Sequence, residues 1–331
     1  MVKILKKKTE EKIISYFSNK KKLLSIYNFI NQFTKITLLT HYKPDGDGIS
    51  GCAALSNFFK KLNKKIEVIY PNKPLFQFKR NPENILINIH KQIPEILIVL
   101  DTANYERFYY PKEFYKIPII NIDHHVSNHI KGTYNLVIPN ASSTCEILYF
   151  LLHSWNKKLI DKHIAECLLF GILYDTQIFH TQSVYPHTLK TAAELMEYGA
   201  KLFELKTELI SNKNPTIIKL WGETLTNVHI EKKGKVAWAV ITQKDLKKYN
   251  LKLSSLIGFN NFLSQLSNVD ITIFFYQTEK KQTKVSLRSK KADVNKLASK
   301  FGGGGHKNAA GILSDQSISK LAPKIIQAIK I

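Results

Sequence analysis

Residues 36–51 read Ile-Thr-Leu-Leu-Thr-His-Tyr-Lys-Pro-Asp-Gly-Asp-Gly-Ile-Ser-Gly, and the architecture follows from them. Ile36 to Leu39 is a short apolar run of the kind that forms a buried strand. It delivers His41, Asp45 and Asp47 onto a loop in which Pro44, Gly46 and Gly48 permit a sharp turn and a close backbone approach. Ile49, Ala53, Ala54, Leu55, Phe58 and Phe59 then predict a buried helix. One imidazole and two carboxylates beyond the end of a strand suit a divalent cation such as Mn²⁺ or Mg²⁺. Taken alone, the loop also fits an ordinary Asp/Gly turn.

The pattern recurs downstream. Ile66 to Tyr70 is a further strand, closed by Pro71 and Pro74; Ile96 to Leu100 ends in Asp101-Thr102; Pro118 to Ile122 ends in Asp123-His124-His125. Strands alternating with helices predict an α/β unit with a mostly parallel sheet flanked by helices. In such sheets ligands collect beyond the carboxyl ends of the strands, so Asp101 is expected beside Asp45 and Asp47. The adjacent His124 and His125 cannot both point the same way: one is expected to face the cations and the other the substrate.

The 331 residues allow two domains with proper cores, and 44% hydrophobic content is ordinary for a globular chain. No apolar run approaches the length of a membrane span, so no membrane partner is expected. Residues 1–22 are rich in Lys and lack the features of a secretory signal. Residues 3–33, with Ile13, Ile14, Phe17, Leu23, Leu24, Tyr27 and Ile30 at helical spacing, predict one or two amphipathic helices. Cys52, Cys145 and Cys167 form no C-x-x-C pair, which argues against thiolate zinc and a disulfide framework and for a reducing cytoplasm. The net charge of +23 attracts polyanions, nucleotides or RNA among them, although a general richness in Lys, Ile and Asn of the kind a coding bias produces also accounts for it.

His41-x-x-Pro44-Asp45-x-Asp47 and Asp123-His124-His125 resemble the first and third motifs of the DHH phosphoesterase family, intact and in order. The resemblance covers residues 20 to 331 and implies a two-cation site. It assigns His41, Asp45 and Asp101 to one cation, and Asp47, Asp101, His124 and Asp175 to the other. Asp101 bridges them, Asp175 comes from a match of Asp175-Thr176 to the fourth motif, and His125 acts at the scissile phosphate as the catalytic residue. Asp123 is expected to orient its neighbours. The mixed Asp/His donor set favours Mn²⁺, with Mg²⁺ or Co²⁺ as alternatives. Two departures stand out: Gln177 and His180 occupy places where the family tends to have Gly and Arg. Ser143 and Glu146 read as a capping box opening a helix.

Ser211-Asn-Lys-Asn-Pro215 breaks the pattern, giving a first domain at 1–210, a linker at 211–219 and a smaller α/β domain at 220–331, with the active site in the cleft between the domains. Strands are expected at 228–230, 236–241, 269–276 and 283–287, and helices at 251–266 and 293–301. The run Gly302 to Gly305, then His306 and Lys307, exposes backbone N–H groups to which a phosphate could come close. It resembles the Gly-Gly-Gly-His motif of the DHH-associated C-terminal domain. That resemblance assigns Gly303, Gly304, Gly305, His306 and Arg288 to substrate binding. It further implies hydrolysis of very short RNA and of adenosine 3′,5′-bisphosphate (pAp) by activated water. A cyclic- or linear-dinucleotide phosphodiesterase and a non-catalytic RNA-binding module are the alternatives. Partners are then short RNA or a nucleotide, with a homodimer compatible.

Overall fold

The apolar run at 36–39 is the central strand of a computed structural model that describes residues 20–74, 78–82, 85–210, 214–278 and 282–329. The chain divides into two units, Met1–Ser211 and Asn212–Ile331. The first unit runs α1 (Lys20–Asn31), β1 (Lys35–Leu39), α2 (Gly46–Lys60), β2 (Lys65–Tyr70), β3 (Leu86–Ile87), β4 (Ile96–Leu100), β5 (Ile119–Asp123), β6 (Tyr134–Val137), α3 (Thr144–Asn156), α4 (Lys162–Asp175), α5 (Pro186–Glu197) and α6 (Leu202–Ile210). Ile13, Ile14 and Phe17 of the amphipathic N-terminal pattern lie outside the described residues.

All six strands are parallel, in the order β3-β2-β1-β4-β5-β6. Alternate residues face opposite sides: Ile96, Ile98 and Leu100 join the core beneath α2, α3 and α4, while Leu97 and Val99 pack under Phe108 and Phe114. A parallel strand buried on both faces needs a continuous apolar run, which is why these strands are legible as runs. β3 and β6 were not expected; with two and four residues they are too short to carry a pattern. The chain leaves β1 to one side for β2 and returns on its other side as β4. That places the switch point of the sheet between β1 and β4, where the crevice of an open α/β sheet lies.

The helix after β1 begins earlier than its apolar residues suggest. Asp45 is its N-cap, with Oδ1 accepting the N–H groups of Asp47 at 3.0 Å and Gly48 at 3.3 Å. Gly46 and Gly48 therefore lie inside α2, and close approach rather than turning explains them. A Cβ on Gly46 would overlap the Tyr174 ring, and one on Gly48 would overlap Thr40 Oγ1.

The second unit runs α7 (Pro215–Thr226), β7 (His229–Glu231), β8 (Val236–Ile241), α8 (Gln243–Lys248), α9 (Phe259–Leu263), β9 (Ile271–Gln277), β10 (Thr283–Ser289), α10 (Val294–Ser299), β11 (Gly304–His306), β12 (Ala309–Ser314) and α11 (Ile318–Ala328). Its strands form a mixed sheet in the order β11-β12-β10-β9-β8-β7, parallel only between β8 and β9. Three expectations are corrected here. Residues 215–219 belong to α7, not to a linker: Asn214 Oδ1 accepts the Ile217 N–H at 3.0 Å and Pro215 has its φ preset for a first turn. Residues 251–266 are not one helix, because Gly258 takes φ +88° between a 3₁₀ turn at Leu253–Leu256 and α9. Gly304 and Gly305 lie in an edge strand. The small Ala309, Ala310 and Gly311 of β12 let that strand approach, and a Cβ on Gly303 or Gly305 would overlap the β12 backbone. Gly304 has room, with Asn295 Oδ1 3.8 Å from where its Cβ would be, and Gly302 faces open space but holds φ +74°.

Candidate metal centre and active site

The loops after β1, β4 and β5, the first turn of α2 and the end of α4 bring every expected cation-binding residue together. His41, Asp45 and Asp101 form one group of donors, Asp47, His124 and Asp175 a second, and Asp101, His124 and His125 a third; within each group the donor atoms lie within 4.8 Å of one another. His41 Nε2 is 3.6 Å from both Asp45 Oδ1 and Asp101 Oδ2. His124 Nε2 is 3.0 Å from Asp175 Oδ2 and 3.6 Å from Asp101 Oδ1. Asp101 thus faces both histidines, as a bridging group would.

Asp101 is buried with φ +54°, a left-handed conformation that a non-glycine residue holds only where its surroundings impose it. It caps no helix. Asp47 has no solvent exposure. Its Oδ2 accepts the Thr144 N–H at 2.6 Å and its Oδ1 the Cys145 N–H at 2.9 Å, so it docks on the first turn of α3. Asp123 is turned away from the cluster. Its Oδ1 accepts the N–H of His124 at 2.8 Å and of His125 at 3.2 Å, and pairs with His125 Nδ1 at 2.7 Å. Its Oδ2 accepts from Asn128 at 2.6 Å.

The electrostatics are those of a site short of positive charge. Burial pushes the Asp47 carboxyl well above its ordinary range, reinforced by Asp101 and Asp175. Burial likewise raises Asp101, reinforced by Asp45. Burial alone would lower His41, but Asp101 and Asp45 override it and push the imidazole up to about 11. His124 is raised against burial by Asp175, and His125 against burial by Asp123. No Lys or Arg pairs with these carboxylates among the described residues. Oxygen and imidazole donors converging without a Lys or Arg among them fit divalent metal ions, and no thiolate enters any of the three groups.

The sequence reading missed several supports. Thr144 Oγ1 donates to Asp101 Oδ1 at 3.3 Å, and Asn128 ties Asp123 to the Thr102 carbonyl. Gly171 in α4 gives room to Asp47, since a Cβ there would overlap Cys145 Sγ and stand 2.8 Å from Asp47 Oδ1. Nothing local marks Asn128 or Gly171, and Thr144 lies in a segment whose capping role already accounts for it. Ser143 caps α3 as expected, but the Glu146 carboxylate reaches the N–H of Ser142 at 2.6 Å rather than that of Ser143. Gln177, where a Gly was expected, still takes the left-handed φ of +49° that Gly adopts freely, and His180 is exposed. In the second unit Arg288 Nε donates to Asn261 Oδ1 at 2.9 Å and Nη1 to the Leu287 carbonyl at 3.0 Å.

Residues 35–172 match the DHH family, N-terminal domain, and residues 239–330 match the DHHA1 domain. The chain belongs to the DHH family and is a phosphoesterase, a hydrolase. A Bacillus subtilis protein named bifunctional oligoribonuclease and PAP phosphatase NrnA is 29% identical over 290 residues, 85% of this chain and 90% of that one. A Thermus thermophilus protein of the same name is 28% identical over 306 residues, 89% of each chain. The crystal structure of an exopolyphosphatase-related protein from Bacteroides fragilis shares the fold, with a TM-score of 0.85, 24% identity and coverage of 92% of this chain and 94% of that one. No helix among the described residues is long and apolar enough to cross a membrane.

Proposed function

We propose that this protein is a metal-dependent phosphoesterase that hydrolyses very short RNA oligonucleotides and pAp. The observation that carries the reading is Asp101, shared between the donor group of His41 and Asp45 and that of His124. Two divalent cations, Mn²⁺ first and Mg²⁺ or Co²⁺ as alternatives, would be held by His41, Asp45 and Asp101 and by Asp47, Asp101, His124 and Asp175. When bound, such ions lower the pKa of water and neutralise phosphate oxygens. The names of the relatives support the substrate class.

The protein's own groups do the rest. Asp45 and Asp47 are fixed by backbone N–H groups, so both carboxylates are oriented before any ligand arrives. Asp123 fixes the His125 ring through Nδ1 and favours its cationic form, which would steady negative charge developing on the phosphate. We assign catalysis to residues 1–210 and substrate binding to the second unit, through Arg288 and the segment Gly303, Gly304, Gly305 and His306. The Arg288 guanidinium is oriented by Asn261, in keeping with a planar, bidentate grip on phosphate.

The test is a substrate panel of pAp, di- to pentanucleotides, longer RNA and cyclic dinucleotides, with Mn²⁺ and with a chelator. Hydrolysis of pAp and the short RNAs that stops on chelation is expected. Inert short RNA beside a hydrolysed cyclic dinucleotide would overturn the substrate class. RNA binding without turnover in any arm would overturn the enzyme.

A further inference from the structure

Behind the first turn of α3 lies a buried pair outside the donor cluster. The Glu146 carboxylate has no solvent exposure, and His187, near the start of α5, is 7% exposed. Glu146 Oε1 is 2.8 Å from His187 Nδ1, and Oε2 accepts the Ser142 N–H at 2.6 Å. A carboxylate only accepts hydrogen bonds, so His187 Nδ1 carries the proton it shares with Oε1, as the Ser142 N–H serves Oε2. His187 Nε2 is buried and has no hydrogen-bond partner among the described residues. One turn further on, Tyr149 donates to Glu194 and ties α3 to α5 again.

The same turn of α3 carries the two N–H groups, from Thr144 and Cys145, that hold Asp47. We infer that His187 is a positioning residue for the cation site: through Glu146 it sets the place of the first turn of α3, and that turn aims the Asp47 carboxylate. The inference rests on Asp47 being a cation ligand, as proposed above. Without His187 a buried carboxylate oxygen loses its donor, a costly state. The available relief is movement of the Ser142–Cys145 segment toward other donors or water, and Asp47 moves with it. Groups that orient a ligand in this way typically govern metal affinity by about 10–100-fold.

The experiment compares wild type with His187→Leu, His187→Asn and Leu195→Ala, titrating each with Mn²⁺ and reading free Mn²⁺ by electron paramagnetic resonance, alongside thermal unfolding. Asn can present a donor near the place of Nδ1. Leu195 is a fully buried α5 residue whose truncation destabilises while leaving the hydrogen-bond partners of Glu146 in place. We expect His187→Leu to weaken Mn²⁺ binding about 10–100-fold, with saturating Mn²⁺ restoring much of the turnover. His187→Asn should recover most of the affinity, and Leu195→Ala should unfold earlier with wild-type affinity. A folded His187→Leu protein that binds Mn²⁺ like wild type, or a Leu195→Ala protein weakened as much, overturns the inference. Wild type that neither binds Mn²⁺ nor hydrolyses pAp would strike the functional reading instead.

Discussion

Asp47 and Thr144 stand 97 positions apart, yet the Thr144 N–H meets Asp47 Oδ2 at 2.6 Å. A carboxylate at a helix N-terminus is well placed electrostatically, and here the helix also fixes which way the carboxylate faces. The candidate cation site is therefore built on α3 as much as on the strand ends that supply its donors, and disturbances of α3 and α4 should reach it.

Gly171 tests that dependence. In a helix interior Gly→Ala ordinarily stabilises by about 0.5–1 kcal/mol. Here the added methyl would overlap Cys145 Sγ and press on Asp47 Oδ1. Gly171→Ala is expected to remain folded and to lose about tenfold or more in kcat/KM, recovered in part by excess Mn²⁺. Steady-state kinetics across a metal titration, with circular dichroism for the fold, decides it.

Asp101→Asn should separate stability from function. Burial, then repulsion from Asp45, raises the Asp101 carboxyl, so its ionised form weighs against the metal-free fold at neutral pH. The amide removes that charge and with it the proposed bridging ligand. The chelated variant is expected to melt no lower than chelated wild type, to gain no stability on adding Mn²⁺, and to be inactive. Calorimetric melting curves with and without metal give the comparison.

Metal uptake should release protons. With an imidazole pushed up to about 11, His41 is protonated at neutral pH in the metal-free site and must lose that proton to act as a ligand. Protons and cations then compete, so Mn²⁺ affinity rises with pH from 6 to 8. The heat of binding should vary with buffer ionisation enthalpy, and His41→Ala should shrink that variation. A buffer-independent heat would count against His41 as a ligand.

Asp123→Asn is aimed at His125. Burial lowers the His125 pKa and Asp123 more than offsets it. Removing the negative charge lets the pKa fall, so the cationic ring is lost at lower pH. The alkaline limb of the kcat profile should move down in pH, with kcat reduced by about 10²–10⁴ if His125 donates a proton. An unmoved limb would remove His125 from that role.

Gln177→Gly should help. Gln177, Ile178 and Phe179 all hold left-handed φ values, of +49°, +59° and +62°, directly after α4. A non-glycine residue there costs roughly 1–2 kcal/mol, which Gly avoids while adding entropy to the unfolded chain. A net gain of about 1 kcal/mol in chemical denaturation, with activity retained, is expected.

Much of this protein was legible because its central strands are buried on both faces. Ile36–Leu39, Ile96–Leu100 and Pro118–Ile122 are almost wholly apolar, with Thr37 and Asn121 as buried polar exceptions, and Asp or His follows each run within two residues. The Ser143 cap was legible for a similar reason, since it acts within three residues of itself. The short β3 and β6 left no run, and α7 hid behind a polar segment whose Asn214 and Pro215 open a helix as readily as they end one.

The sequence by itself determined the donor set, the order in which strands deliver it, and the family to which the chain belongs. Tertiary structure decided the direction of each side chain. It turned Asp47 onto α3, set Asp123 against His125, placed Asp101 between two histidines, and explained Gly171 and the glycines of β11 by what packs against them. The physical reason is range: a strand or a cap is encoded within a few residues, whereas the aim of a carboxylate depends on N–H groups and crowding atoms far along the chain.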